Sequence, residues 1–154
     1  MPSYIRQLRA DDLDGAMRLA AAFHAESAYS RFPLALAKVD DLVQKALSND
    51  DITCIVLADL TDDSIHGYLM AICHEHYFSY TKTVSDLGFY IEPMHRDMIA
   101  ARSMLQALER WAFHVKHAAD ISLGVSSGIA DAAIIKFYQR MGYTRGFAGL
   151  IKSR

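Results

Sequence analysis

Residues 84–116 read VSDLGFYIEPMHRDMIAARSMLQALERWAFHVK, and two periodicities meet in them. Val84 to Ile91 is apolar and partly β-branched, and Pro93 stops it because proline cannot donate to a strand ladder. It reads as a central strand. From Asp97 to Lys116 the spacing changes: Met98, Ala101, Leu105, Leu108, Ala112 and Val115 step by three and four, while Arg102, Gln106, Glu109, Arg110 and Lys116 take the other faces. That is a long amphipathic helix. A short apolar run, Ile121 to Val125, follows. Strand, helix and strand make a βαβ unit, whose connection should be right-handed and whose strands should be parallel.

The flanks extend the pattern. Tyr4–Leu8 is a strand candidate, and Asp11 or Asp12 is placed to cap a helix carrying Leu13, Ala16, Met17, Ala20 and Phe23. Pro33 is suited to open a second helix with a stripe of Val39, Leu42, Val43, Ala46 and Leu47. Ile52–Ala58 reads as a strand covered on both faces, and it should form a hairpin with Ile65–Cys73 across the turn Thr61–Ser64. Asp131 is placed to cap a last helix that Gly142 stops, and Tyr143–Ile151 reads as a final strand. The order is β-α-α-β-β-β-α-β-α-β, in one domain spanning residues 1–154.

Composition excludes several classes. The chain has 154 residues, 52% hydrophobic and 22% charged, so it can bury one core and does not read as disordered. A formal net charge of -2 with no basic run argues against nucleic acid as partner. No segment is apolar for long enough to span a membrane, and the N-terminal residues MPSYIR do not read as a signal peptide, so the expected location is the cytoplasm. Cys54 and Cys73 lie in apolar runs and read as core thiols. His74 and His76 share one face of a strand, but no third ligand is evident, and no metal site is expected.

The turn between strand and helix carries the chemistry. Free amides at a helix start attract anions, and His95, Arg96 and Arg102 stand where they would add positive charge. Ile91-Glu92-Pro93 and the residues after it resemble motif A of the GNAT acetyltransferase superfamily, V-x-P followed by Q/R-x-x-G-x-G/A. Arg96 matches the Q/R position and Ala101 the closing G/A. Ile99 stands at the central glycine, and Asp97 replaces the glycine that often follows the arginine. Asp131–Tyr143, DAAIIKFYQRMGY, resembles the family's N-x-x-A-x-x-x-Y-x-x-x-G-F segment. Tyr138, Gly142 and Tyr143 match, Asp131 replaces the asparagine, and Ile134 the alanine. The first strand and helix also look like the family's, so the resemblance covers nearly the whole chain.

The resemblance implies an α/β fold: a mixed, mostly antiparallel sheet, helices on both faces, and a V-shaped cleft between two splayed parallel strands. It implies acetyl-coenzyme A as co-substrate and transfer to an amine by direct attack in a ternary complex. A catalytically inactive binding or structural protein on the same fold is the alternative that Asp97 and Ile99 support. Tyr138 would protonate the departing thiolate, and Asp86, or Glu75 as its competitor, would take the amine's proton. Coenzyme A would lie on Ile91, Glu92, Arg96, Asp97, Met98, Ile99, Ala100, Ala101, Arg102, Asp131 and Tyr138. A bulge at Ile91–Glu92 would splay the strands, with the Glu92 side chain in solvent. Strand alternation puts Asp86 on one face with Gly88 and Tyr90, and Ile99 falls at the edge of the buried helix stripe. Tyr29, Phe32, Tyr77, Phe78 and Tyr80 would line the acceptor side, for a small-molecule or protein amine. A homodimer is left open.

Overall fold

The computed structural model describes residues 2–146 and 149–154. Its elements are β1 (Ser3–Gln7), α1 (Leu13–Glu26), α2 (Leu36–Ser48), β2 (Ile52–Asp59), β3 (Ile65–Glu75), β4 (Lys82–Ile91), α3 (Met98–Arg110), β5 (Asp120–Ser122) and α4 (Asp131–Arg140). The strands lie side by side in chain order, β1 to β5. The first four pair antiparallel, and β4 with β5 parallel. This is the mixed, mostly antiparallel architecture expected.

All eight residues of β2 are buried, because both of its faces are covered. Ile55 and Leu57 join Leu69, Ala71, Val84 and the α3 residues Met104, Leu105 and Leu108 in one core layer. Cys54, Val56 and Ala58 join Leu19, Met70 and Tyr90 in the other, packed by Phe23, Leu42 and Ala46 from α1 and α2. Both thiols are buried. Burial pushes the Cys54 thiol up to about 12, so it is an inert core group.

Several boundaries differ from the sequence reading. Asp12 does precede α1, but its carboxylate does not cap the helix. It takes two hydrogen bonds from the buried Arg6 guanidinium, at 2.6 and 2.8 Å, and one from the Arg9 amide. Helix α2 opens at Leu36 rather than Pro33, since Ala35 before it is still extended. Helix α3 becomes a π turn over Trp111–Val115. The extra residue in that turn rotates Val115 out to solvent while Ala112 stays buried. Strand β5 stops at Ser122 instead of Val125. Residues 143–146 and 149–151 form no strand, and positions 147 and 148 of that expected strand lie outside the described residues.

The irregularity that shapes the molecule is in β4. Ala71 of β3 pairs with Asp86 and its neighbour Met70 pairs with Gly88, so Leu87 is an extra residue on β4. The bulge expected at Ile91–Glu92 is not there: Ile91 pairs regularly with Gly67, and the Glu92 amide donates to the His66 carbonyl at 2.9 Å. A bulge bends its strand and increases the local twist. Pairing of β4 with β5 covers only Thr83–Ser85, and beyond it the two parallel strands part.

Candidate active site

A cavity of about 180 Å³ opens where β4 and β5 separate. Asp86, Leu87, Gly88 and Phe89 line it from β4, Gly124–Ser127 from the segment after β5, Ile134 and Tyr138 from α4, and Phe23 and Tyr29 from the α1 side. Asp86 closes the apex of the V. Its Oδ1 accepts the Gly124 amide at 2.8 Å, a side chain taking the place of the ladder bond that the parted strands no longer make. This also explains why β5 is short. Burial raises the Asp86 carboxyl above its usual range, and the Gly124 bond only partly offsets that.

The Leu87 bulge corrects the expected face of Asp86. Paired residues on neighbouring strands share a face. Asp86 pairs with Ala71 of the α3-side core, whereas Gly88 and Tyr90 pair with Met70 and Tyr68 of the α1-side core. Asp86 therefore stands opposite to Gly88 and Tyr90, on the side where Tyr138 packs. Tyr138 is 7% exposed. Burial, and after it the charge of Asp86, push its hydroxyl well above the ordinary tyrosine range, so it holds its proton at neutral pH. The cavity thus brings together a carboxylate with raised proton affinity and a protonated phenol. Glu75 is not part of it. It ends β3, pairs with Lys82 and is exposed, about 13 Å along the strand from Asp86 at ~3.3 Å per residue.

The residues expected to meet coenzyme A are distributed more unevenly. Ile91 and Ala100 are buried, Ala101 packs on the α3-side core, and Met98 and Arg102 are exposed. Ile99 is 74% exposed, not at the core edge as its spacing suggested. Helix phase carries it past the stripe of Ala100, Met104, Leu105 and Leu108. Asp97 caps α3, its Oδ1 accepting the Ile99 amide at 3.1 Å. Arg96 is turned from the helix start: Nε donates to the Ile91 carbonyl at 2.8 Å, and the guanidinium grips both carboxylate oxygens of Glu26 at 2.6 and 2.7 Å. The Tyr90 hydroxyl donates to the same carboxylate at 3.0 Å. Through Arg96, the turn after β4 is tied to the end of α1.

Glu92, expected in solvent, bonds with Arg18 and with His66 Nδ1 at 2.8 Å. His95 stacks on His66 with centroids 3.8 Å apart. Burial, and then the charge of His66, hold His95 below the usual histidine range, so it adds little positive charge at the turn. Asp131 begins α4 without capping it, and its Oδ1 is buried with no hydrogen-bond partner among the described residues.

Of the aromatic residues expected on the acceptor side, Tyr29 lines the cavity and its hydroxyl meets Ser126. Phe32 is 54% exposed under Arg31. Tyr77, Phe78 and Tyr80 sit in the β3–β4 turn, more than 80% exposed, and do not line the cavity. Phe23, Gly124, Ser126 and Ser127 are among the lining residues that sequence reasoning did not assign to the site. Phe23 carried a core-helix signal, and the serines carried none. A larger hollow of about 720 Å³ lies on the other flank of α3, against β1 and β2. It contains neither Asp86 nor Tyr138, but Asp97, Ile99 and Ala100, three of the residues expected to meet coenzyme A, line it.

The fit to coenzyme A divides accordingly. The opened β4 edge and the cavity suit an extended arm with a thioester at its end. At the start of α3, Asp97 already occupies an amide that a diphosphate would use. Asparagine caps helices as well as aspartate does but carries no charge. Asp97→Asn should therefore keep the cap, give up about 0.3–1 kcal/mol of charge–dipole stabilisation at the helix start, and tighten coenzyme A binding about 2- to 5-fold by removing a like charge of similar worth. Calorimetric titration reads it, and equal or weaker binding by the variant would remove Asp97 as an obstacle.

The fold recurs widely among solved structures. The glucosamine-6-phosphate N-acetyltransferase of Arabidopsis thaliana matches with TM-score 0.76 at 14% identity, covering 99% of both chains. An aminoglycoside acetyltransferase from an uncultured soil metagenomic sample matches at 0.73 and 16%, over 100% of this chain and 99% of that one. A ribosomal-protein-alanine N-acetyltransferase from Brucella melitensis biovar Abortus 2308 matches at 0.72 and 12%, over 99% of each. At such identities the likeness is one of fold. No curated protein sequence matches. The sequence model of the acetyltransferase (GNAT) family covers residues 18–143, from within α1 through the tyrosine helix to Tyr143. The bulged β4, the parted parallel strands and that family match lead to one conclusion: the chain belongs to the GNAT family of acetyltransferases.

Proposed function

We infer that the protein transfers an acetyl group from acetyl-coenzyme A to an amine by direct attack, with both substrates bound. The observation that carries this reading is the placing of Asp86 and Tyr138 on one face, around the cavity at the strand split. Beyond Ser85, β4 has no partner strand on its β5 side. Its amides there are available to hold the co-substrate's arm and to polarise the thioester oxygen, where charge develops during attack. Asp86 accepts the proton of the attacking amine, and Tyr138 donates one to the departing thiolate sulfur. Phe23 and Tyr29 give the acceptor end an aromatic wall. The names of the structural neighbours put glucosamine-6-phosphate, aminoglycosides and a ribosomal-protein alanine among the acceptors to try first.

Asp97 on the α3 amide and Arg96 on Glu26 favour a second reading, a family member that no longer transfers acetyl groups. Titrating the full chain with acetyl-coenzyme A, followed by an amine panel with thiol detection, separates the two. Saturable micromolar binding with amine-dependent thiol release is expected. No heat at millimolar co-substrate would overturn the enzyme reading.

A further inference from the structure

His66, Glu92 and His95 offer ligand atoms that all lie within 4.8 Å of one another. They come from two places: His66 from β3, and Glu92 and His95 from the 3-10 turn Pro93–His95 that follows β4, which Glu92 precedes as its first flanking residue. The hydrogen bonds around them hold the donor atoms in place. Asp62 is a carboxylate and can only accept. Ser64 Oγ lies 2.6 Å from its Oδ1 and must donate to it. Ser64 Oγ is then an acceptor for His66 Nε2, 3.0 Å away, which fixes the proton on Nε2. The other ring nitrogen, Nδ1, faces the Glu92 carboxylate at 2.8 Å. Nδ1 therefore meets the carboxylate either through a ring proton, as an ordinary ion pair, or as a fellow ligand of a bound ion.

We propose that His66 Nδ1, Glu92 and His95 bind a first-row divalent cation, with zinc as the best match to the donor set. Two imidazoles and one carboxylate are borderline donors that suit zinc and its neighbours rather than magnesium or calcium. The surroundings resemble a metal's outer shell. Ser64 and Asp62 orient His66 through its far nitrogen, the relay that tunes many histidine ligands. Arg18 holds the other oxygen of Glu92, which leaves Oε2 for the ion. When the ion binds, the proton on Nδ1 leaves to solvent and the nitrogen lone pair takes the metal. Now the His95 ring lies flat on His66, at 7°, and two flat-stacked rings cannot both aim their lone pairs at one ion. His95 must turn out of the stack. It is only partly buried, and its ring makes no hydrogen bond among the described residues. The bound ion would cross-link β3 to the turn that leads into α3.

The test uses the full, tag-free chain, stripped with a chelator and titrated calorimetrically with zinc chloride. One ion per chain should bind with micromolar or tighter affinity. His95→Ala changes a partly exposed turn residue and should keep the circular dichroism of the parent while weakening zinc by at least about 10-fold. Ser64→Ala, which removes only the outer contact, should weaken it by about 10-fold. His76→Ala, a histidine outside the cluster, should change nothing. Long-range nitrogen spectra of the histidine rings should show the Nδ1 signal of His66 moving on zinc addition. No saturable binding overturns the proposal, and so does an His95→Ala variant that binds like the parent.

Discussion

Tyr138→Phe is expected to lower the acetyl-transfer rate by about 10²–10⁴-fold, the usual worth of a positioned proton donor, while acetyl-coenzyme A binding hardly moves. The ring fills a core position beside Phe137 and Tyr143, and phenylalanine keeps that packing. The hydroxyl is the only group removed. It makes no hydrogen bond among the described residues, so no partner is stranded by its loss. Its raised proton affinity keeps it in the donating form across the neutral range, and its effect falls on the step in which thiolate charge appears. A fall in kcat with an unchanged calorimetric Kd is the signature. A variant that turns over at the parent rate would remove Tyr138 from the mechanism.

Asp86→Asn should produce a comparable loss of rate, about 10²–10⁴-fold, together with equal or greater stability at neutral pH. Asparagine Oδ1 can still accept the Gly124 amide, so the strand apex stays bridged. What disappears is a carboxylate in a place where burial opposes its charge. A carboxyl whose folded pKa lies above its unfolded value supplies its full stability below the unfolded pKa, about 3.9 for aspartate. That stability is lost as pH rises through the folded value. At neutral pH the parent has lost it and the variant has not. The variant should melt at the same temperature or higher, and its advantage should vanish in acid. In the parent, the acid limb of the rate profile should lie above the ordinary aspartate range and disappear in the variant. An inactive variant that also melts well below the parent would make Asp86 a structural residue. A fully active one would move the base elsewhere.

Most of the fold is legible in the sequence because its elements are governed by short-range rules. The period of the apolar residues marks α3, the unbroken run in β2 marks a strand covered on both faces, and Pro93 marks the end of β4. The candidate site was less legible. Tyr138 could be named because it sits at a fixed offset within one helix, and Asp86 because it lies on the central strand. Its face was misread because strict alternation assumes a ladder without an extra residue, and Gly88, an isolated glycine beside the extra residue, is the one local hint of a bulge. Arg96 was expected at the helix start because its neighbours in sequence are there. Its partner, Glu26, is 70 residues away, and no local pattern encodes such a bond. The same holds for His66 and Glu92, which meet only because β3 and β4 run side by side.

The bulge at Leu87 has a consequence for the kind of change this site can tolerate. Asp86 and Gly88 already face opposite sides of the sheet, as two consecutive residues of a regular strand would. Loss of Leu87 would leave every other β4 side chain on its present side. It would erase the irregularity, let β4 lie straight against β3, and allow β5 to zip along it past Ser122. Every proposed catalytic group would remain, in a tidier sheet with no room between the strands. The opening is thus written into the chain as a count of residues rather than as a choice among them. Drift by substitution can pass over position 87 with little effect, whereas a single deletion there closes the protein for good.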